Sequence, residues 1–364
     1  MTIEWLAGNR IRGTTAERPN FGLPSGSVGG WVELARTTLG SDTATVDVSS
    51  LDDKRYYMVL SNYNISSGNG NPYFRLNSDI GSNYSARYSL NGSEATNTSQ
   101  GNGMYGAVAG YNLLPYFTID YFANLSGKEK LHIGHVAHQN TAGAANAPNR
   151  GERHLKHAQT SNPITSYNLW NASGSGDFAS GSECVVLGWD PDSDTHTTNF
   201  WQELASVDLS GGAADTLDAS FTAKKYLWIQ YFVKATGGTV VDGFRVGNST
   251  IDTGSNYAYR RSSNGGADGT FTEKDVYAVG AGSVATGEVA MGNIFIINNT
   301  SNEKLMIGHT MLAEAAGAAN APGRKESVGK WTNTSNQIDI VQLRNSTGTG
   351  DMGTETIMKV WGAD

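Results

Sequence analysis

Residues 128–148, KEKLHIGHVAHQNTAGAANAP, and residues 302–322, NEKLMIGHTMLAEAAGAANAP, are one segment written twice. Their shared ending, AGAANAP, is identical and starts at positions 142 and 316. A repeat sets the folding unit, so it comes before any assignment of elements. Backwards, the match pairs Trp31 with Trp201, Glu33-Leu34-Ala35 with Glu203-Leu204-Ala205, and Phe74-Arg75 with Phe244-Arg245. Forwards, it pairs Arg150 and Glu152 with Arg324 and Glu326, and Asp190 with Asp364. The chain therefore reads as an N-terminal arm (1–30), a first repeat (31–190), a linker (191–200) and a second repeat (201–364).

Composition sets the class of each repeat. The 364 residues include 45 glycines, 10% aromatic residues and only 16% charged residues, against about 25% charged in an average domain. Short β-branched and aromatic runs separated by Gly, Asn, Asp and Ser clusters are the grammar of strands and turns. Strands are expected in the first repeat near 32–39, 43–49, 54–62, 72–77, 83–89, 114–123, 129–138, 152–160, 165–171 and 183–189. Most recur in the second, at 203–209, 214–221, 224–234, 239–246, 256–262, 291–298, 303–312, 326–332, 336–344 and 356–361. Asn91-Gly92 and Asn264-Gly265 sit at matching places after Tyr-rich strands, and Asn-Gly specifies a tight hairpin because both residues tolerate positive φ. AGAANAP reads as a packed loop, since its Gly and final Pro oppose a helix. The expected fold is all-β: two tandem homologous antiparallel β-sandwich domains, jelly-roll-like, preceded by an extended arm ending in GLPSGSVGG.

Charge and cysteine usage narrow the partners. The net charge is −8, and no Lys/Arg-rich run supplies the electrostatic footprint of a nucleic-acid binder. No apolar run of bilayer-spanning or signal-peptide length occurs, which points to a protein made in a cytoplasm with no membrane partner. The single Cys184 permits no intrachain disulfide, and it aligns with Met358, so it reads as a core residue rather than a nucleophile.

Candidate chemistry can be tested between the repeats. His132, His135 and His138 resemble a metal cluster, but on a strand the outer two share one face and the middle one points to the other. Their counterparts are Met306, His309 and Leu312, so only His135 and His309 recur, as half-buried, hydrogen-bonded histidines. Arg150 with Glu152, and Arg324 with Glu326, read as structural ion pairs or interface contacts. A glycosidase would need two carboxylates about 5–10 Å apart, and no second acid recurs beside either Glu. Asp190–Asp194 (DPDSD) reads as a solvated turn rather than a calcium loop, and Gly101–Gly106 matches GxGxxG without the strand–helix context that gives the motif meaning. Tyr84, Tyr88, Tyr257 and Tyr259 would suit either cross-strand packing or a glycan platform. No catalytic, cofactor or metal residue is assigned. The interface candidates are Trp31, Trp201, His135, His309, Arg150, Glu152, Arg324 and Glu326.

Several phrases carry a family likeness: IEWLAGNRIRGTTAERPN at the start, GGWVELARTTL, KRYYMVLSN, SNYAYRRSSNGG and GDFASGSECVVLGWD. These resemble structural proteins of tailed phages and related viruses from marine sources, over nearly the whole chain. The resemblance implies a non-enzymatic virion component, a capsid decoration protein or a fibre or adhesin subunit, with no catalytic residues and no cofactor. The expected partners are copies of itself, other virion proteins through residues 1–30, and host glycans if it is an adhesin. A subunit of a cellular surface filament or sheath is the further alternative. The implied location is the virion, after synthesis in the host cytoplasm.

Overall fold

A computed structural model describes residues 30–364 except 69, 105–113, 140, 173–175, 191–198, 281, 314–317 and 347–348. The arm and most of the linker expected from the sequence lie outside the described residues. In the first half the strands are β1 (Val32–Thr38), β2 (Thr45–Ser49), β3 (Tyr56–Asn64), β4 (Pro72–Leu76), β5 (Tyr84–Leu90), β6 (Ser93–Gln100), β7 (Gly103–Met104), β8 (Pro115–Ala123), β9 (Lys130–His138), β10 (Asn149–His157), β11 (Ser166–Asn171) and β12 (Glu183–Trp189). The second half continues with β13 (Gln202–Asp208), β14 (Thr216–Ser220), β15 (Tyr226–Thr236), β16 (Asp242–Asn248), β17 (Thr250–Ile251), β18 (Tyr257–Ser263), β19 (Gly269–Lys274), β20 (Val289–Ile297), β21 (Lys304–Leu312), β22 (Gly323–Trp331), β23 (Ile340–Asn345), β24 (Asp351–Met352) and β25 (Ile357–Ala363).

The fold is all-β and antiparallel. A large sheet in the first half, β1-β12-β3-β8-β9-β10-β5-β6, lies over a small one, β2-β11-β4-β7. In the second half β13-β25-β15-β20-β21-β22-β18-β19, with β24 beside β15, lies over β14-β23-β16-β17. The large sheets have the same order, and both carry a bulge in the first strand, between Glu33 and Ala35 and between Glu203 and Ala205. The extra residue of a bulge goes unpaired and bends the strand, so each Glu-Leu-Ala phrase encodes a bend.

Period-two alternation then divides each large sheet between two cores. Inward residues such as Val59, Tyr84, Val136 and Val186 meet Val46, Phe74 and Leu169 of the small sheet. Ile229, Ile294, Met306 and Val360 meet Leu217, Phe244 and Val341 in the same way. Tyr84 and Tyr257 are buried, each donating its hydroxyl to a strand carbonyl of the small sheet, on Leu76 and Val246. Tyr259 is buried too, stacking on Phe271. Three of the four tyrosines weighed as a glycan platform are therefore core residues. Cys184 is fully buried, with its thiol 3.3 Å from the Ser61 hydroxyl and its pKa pushed up to about 12 by burial.

Two sequence expectations need correction. The strands after AGAANAP begin at Asn149 and Gly323, three residues earlier than the periodicity indicates, so Arg150 and Arg324 join Glu152 and Glu326 as strand residues. Edge strands β6 and β19 were also missing from the reading, because SEATNTSQ and GTFTEK lack the sustained apolar alternation that marks a half-buried strand. The β5–β6 pairing comes from the hairpin: Asn91 and Gly92 have φ of 51° and 84°, the left-handed pair of a type I′ turn, and Leu90 pairs with Ser93. The matching Asn264-Gly265 has the same left-handed backbone, φ 51° and 73°, but it does not close a two-residue hairpin: β18 and β19 are joined by a longer loop, with Arg261 paired to Gly269.

Candidate functional site

The outward positions of the two large sheets meet one another. Met58 and Leu60 of β3, Phe117 and Ile119 of β8, Ala137 of β9, and Val185 and Leu187 of β12 form one buried cluster with residues of the second half. The opposing set includes Tyr226, Phe295, Ile297, Leu305, Ile307, Val328 and Trp361, with Phe200 and Trp201 from the chain entering β13. Trp201 is fully buried here, in edge-on contact with Phe200 and Trp228. Its counterpart Trp31 is only partly buried, against Trp189, although the Trp31 carbonyl accepts a bond from the Phe200 amide at 2.8 Å.

The remaining interface candidates gather beside this seam. His135 lies opposite Glu152 across β9–β10, and His309 opposite Glu326 across β21–β22. The two strand pairs bring His309 Nε2 within 3.2 Å of His135 Nδ1, so residues 174 apart in sequence touch. Two imidazoles this close cannot both charge cheaply. Burial, reinforced at His135 by His309, holds His135 well below the usual range and lowers His309 to about 4. Burial, opposed by Arg150 and assisted by Glu326, lifts Glu152 to about 7. The second acid absent from the local sequence is thus supplied by the other half.

The arginines, equivalent in sequence, have different surroundings. Arg150 is 4% exposed, contacts Glu152, and crosses the seam to Asp268 at 2.6 Å and Glu326 at 3.7 Å. Arg324 is 58% exposed and, among the described residues, pairs with its strand neighbour Glu326 alone, at 3.1 Å. Chemically the cluster lets Glu152 hold a proton beside the Glu326 carboxylate while Arg150 clamps both strand pairs. It opens on a shallow cleft lined by Arg87, Tyr88, Glu94 and His154.

The other two histidines of the sequence cluster point inward. His132 bonds Asp120 at 2.7 Å, where Arg153 also reaches the same carboxylate, and His138 stacks on Tyr116. Among the described residues no group of three or more His, Cys, Asp or Glu side chains converges as a metal site would require.

Sequence reasoning missed two hubs of the seam. Glu183 accepts from Thr38 at 2.5 Å and from Tyr226 at 2.7 Å, and pairs with Lys225 at 2.9 Å. Glu303 bonds Gln139, accepts from the Gly143 amide at 2.7 Å and pairs with Lys330 at 3.1 Å. Around Glu303 the first AGAANAP loop is seated on the second half. The Thr141 carbonyl takes Lys330 Nζ at 3.0 Å, the Ala144 carbonyl takes the Glu273 amide at 2.9 Å, and the Pro148 carbonyl takes Arg260 Nε at 3.2 Å. The repeated Glu-Lys of Glu129-Lys130 and Glu303-Lys304 was a signal that could have marked Glu303.

No family model and no curated protein matches the chain. Among solved structures, domains LG4-5 of the mouse laminin alpha1 chain align over 92% of this chain and 89% of theirs, at 11% identity and a TM-score of 0.20. Neisserial surface protein A aligns over 80% of this chain and 99% of its own, at 10% identity and a TM-score of 0.12. At such scores neither architecture nor function transfers from them.

Proposed function

We propose that this chain is a non-enzymatic structural subunit of a virion surface, acting by self-assembly. Its sandwich domains, 31–190 and 201–364, are the docking units, and residues 1–30 attach it to other virion proteins. One observation carries the reading: the outer face of one large sheet, with its AGAANAP loop, is seated on the outer face of the equivalent sheet. Like already binds like inside one chain. A unit built to bury its face against a relative is suited to a repeating lattice or fibre. The virion setting comes from the sequence resemblance to phage structural proteins.

The test is electron microscopy of the purified full chain across a concentration series, together with immunogold labelling of virions. Ordered oligomers and labelled particle surfaces are expected. A chain that stays monomeric throughout and labels no particle sinks the reading.

A further inference from the structure

The seam inside the chain is one-sided, and each half keeps the unused side of it. The socket of the second half consists of Glu303, Lys330 and Arg260 around the seated loop, with Leu305 and Ile307 buried beside it. The first half has the same groups at the equivalent positions: Glu129, Lys156, Arg87, Leu131 and Ile133. The Lys–Glu pair is preformed in both places, at 3.1 Å for Lys330–Glu303 and 3.2 Å for Lys156–Glu129. The filled pair is buried, at 0% and 7% exposure, whereas its counterpart, which no described residue covers in this way, stands at 48% and 41%. Leu131 and Ile133 are 58% and 48% exposed.

The plug is duplicated in the same manner. The first AGAANAP loop is anchored by four main-chain contacts and its Ala147 and Pro148 are buried, while the described part of the second, residues 318–322, is exposed throughout. Beside the first loop, Phe117 and Ala137 are buried in the seam; their counterparts Met291 and Met311 are 54% and 47% exposed. At the third contact Glu183 is replaced by Ile357, so a charged hub becomes an apolar edge that would face Tyr56 where Glu183 faces Tyr226. Seven large apolar side chains are exposed among the described residues, and these five occupy the positions that the internal seam buries. Exposed apolar groups clustered this way mark an interface.

We propose that the occupant of each open face is a second copy of this chain: the plug face of one chain's second half (Met291, Met311, Ile357 and residues 318–322) docks on the socket face of the next chain's first half (Glu129, Lys156, Leu131, Ile133). The interface repeats between chains the seam present within each. It rests on the assembly reading above and specifies its geometry. Such a contact is heterologous, so it closes into a ring or grows as an open filament, according to the rotation per step.

Opposite-face variants test it. Ile133→Glu blocks the socket and Met311→Glu blocks the plug; both sites are exposed, so the monomer fold is retained, which circular dichroism checks. Each variant alone should weaken self-association in sedimentation velocity by at least about tenfold, as expected for removing a central apolar anchor. Mixed one to one, they should give a dimer that grows no further, since each supplies the face the other lacks. Assembly of the wild type with variants that associate equally well would overturn this interface and leave self-assembly standing. Variants that are both blocked and stay blocked on mixing would show a face that pairs with itself, and would overturn the head-to-tail contact. A wild type that is monomeric at every concentration would overturn both proposals. An intrachain amine cross-link from residue 1 to Lys156 would place the N-terminal arm in the socket and overturn the intermolecular plug.

Discussion

At the scale of single residues, the same side chain does different work in the two halves. His135 and His309, which recur in sequence, also meet: each is the other's neighbour at 3.2 Å. Their lowered pKa values set a direction for acid. A histidine at about 4 in the folded chain and about 6.5 in the unfolded one binds fewer protons when folded, so its contribution is complete above pH 6.5 and is lost as pH falls toward 4. Glu152 has the opposite sign. Raised to about 7, it holds a proton better in the folded state, and stability declines as pH rises from about 4.5 to 7. Urea unfolding across pH 4–8 should show His309→Gln flattening the acid-side loss. Glu152→Gln should compare best with wild type above pH 7, an advantage that vanishes below pH 4.5. Identical pH profiles for wild type and both variants would mean that these groups do not titrate as their surroundings dictate.

At the scale of elements, the local code was readable wherever a strand is half-buried or a turn needs a special backbone. The Asn91-Gly92 turn is the clearest case. With φ of 84°, Gly92 occupies a conformation that a Cβ disfavours, and an added Cβ would also lie 3.1 Å from the Asp268 carboxylate. Gly92→Ala should therefore cost about 1 kcal/mol in chemical denaturation, with the β5–β6 hairpin losing hydrogen-exchange protection first. The strands beyond such turns were harder to read. Ser93–Gln100 carries polar residues on both faces, so nothing in it signals a strand until β5 offers a partner. The first residues of β10 escape the periodicity for a related reason: Arg150 is a charge at a position that ends up buried, and the seam gives it its counter-charge in Asp268.

At the scale of the whole molecule, two nearly equivalent halves are joined asymmetrically, and stability should register the asymmetry. Glu303→Ala strands Lys330 in a buried site and strips the Gly143 amide of its acceptor, a loss of roughly 3 kcal/mol. Glu129→Ala removes the same residue from an exposed pair and should cost less than about 0.5 kcal/mol. Thermal unfolding of the two variants side by side distinguishes these outcomes, and equal losses would contradict a one-sided seam. The sequence alone determined the repeat, the all-β class, most strand positions and the Asn91-Gly92 hairpin turn, because these depend on local periodicity, backbone preference and the comparison of one copy with the other. It could not say which copy of Leu-His-Ile or Leu-Met-Ile is covered, or why Arg150 is buried and Arg324 exposed. Those choices belong to the packing of one sheet face on another: burial is a property of what lies opposite, and two nearly identical stretches acquire different environments only when one face is filled and the other is left open.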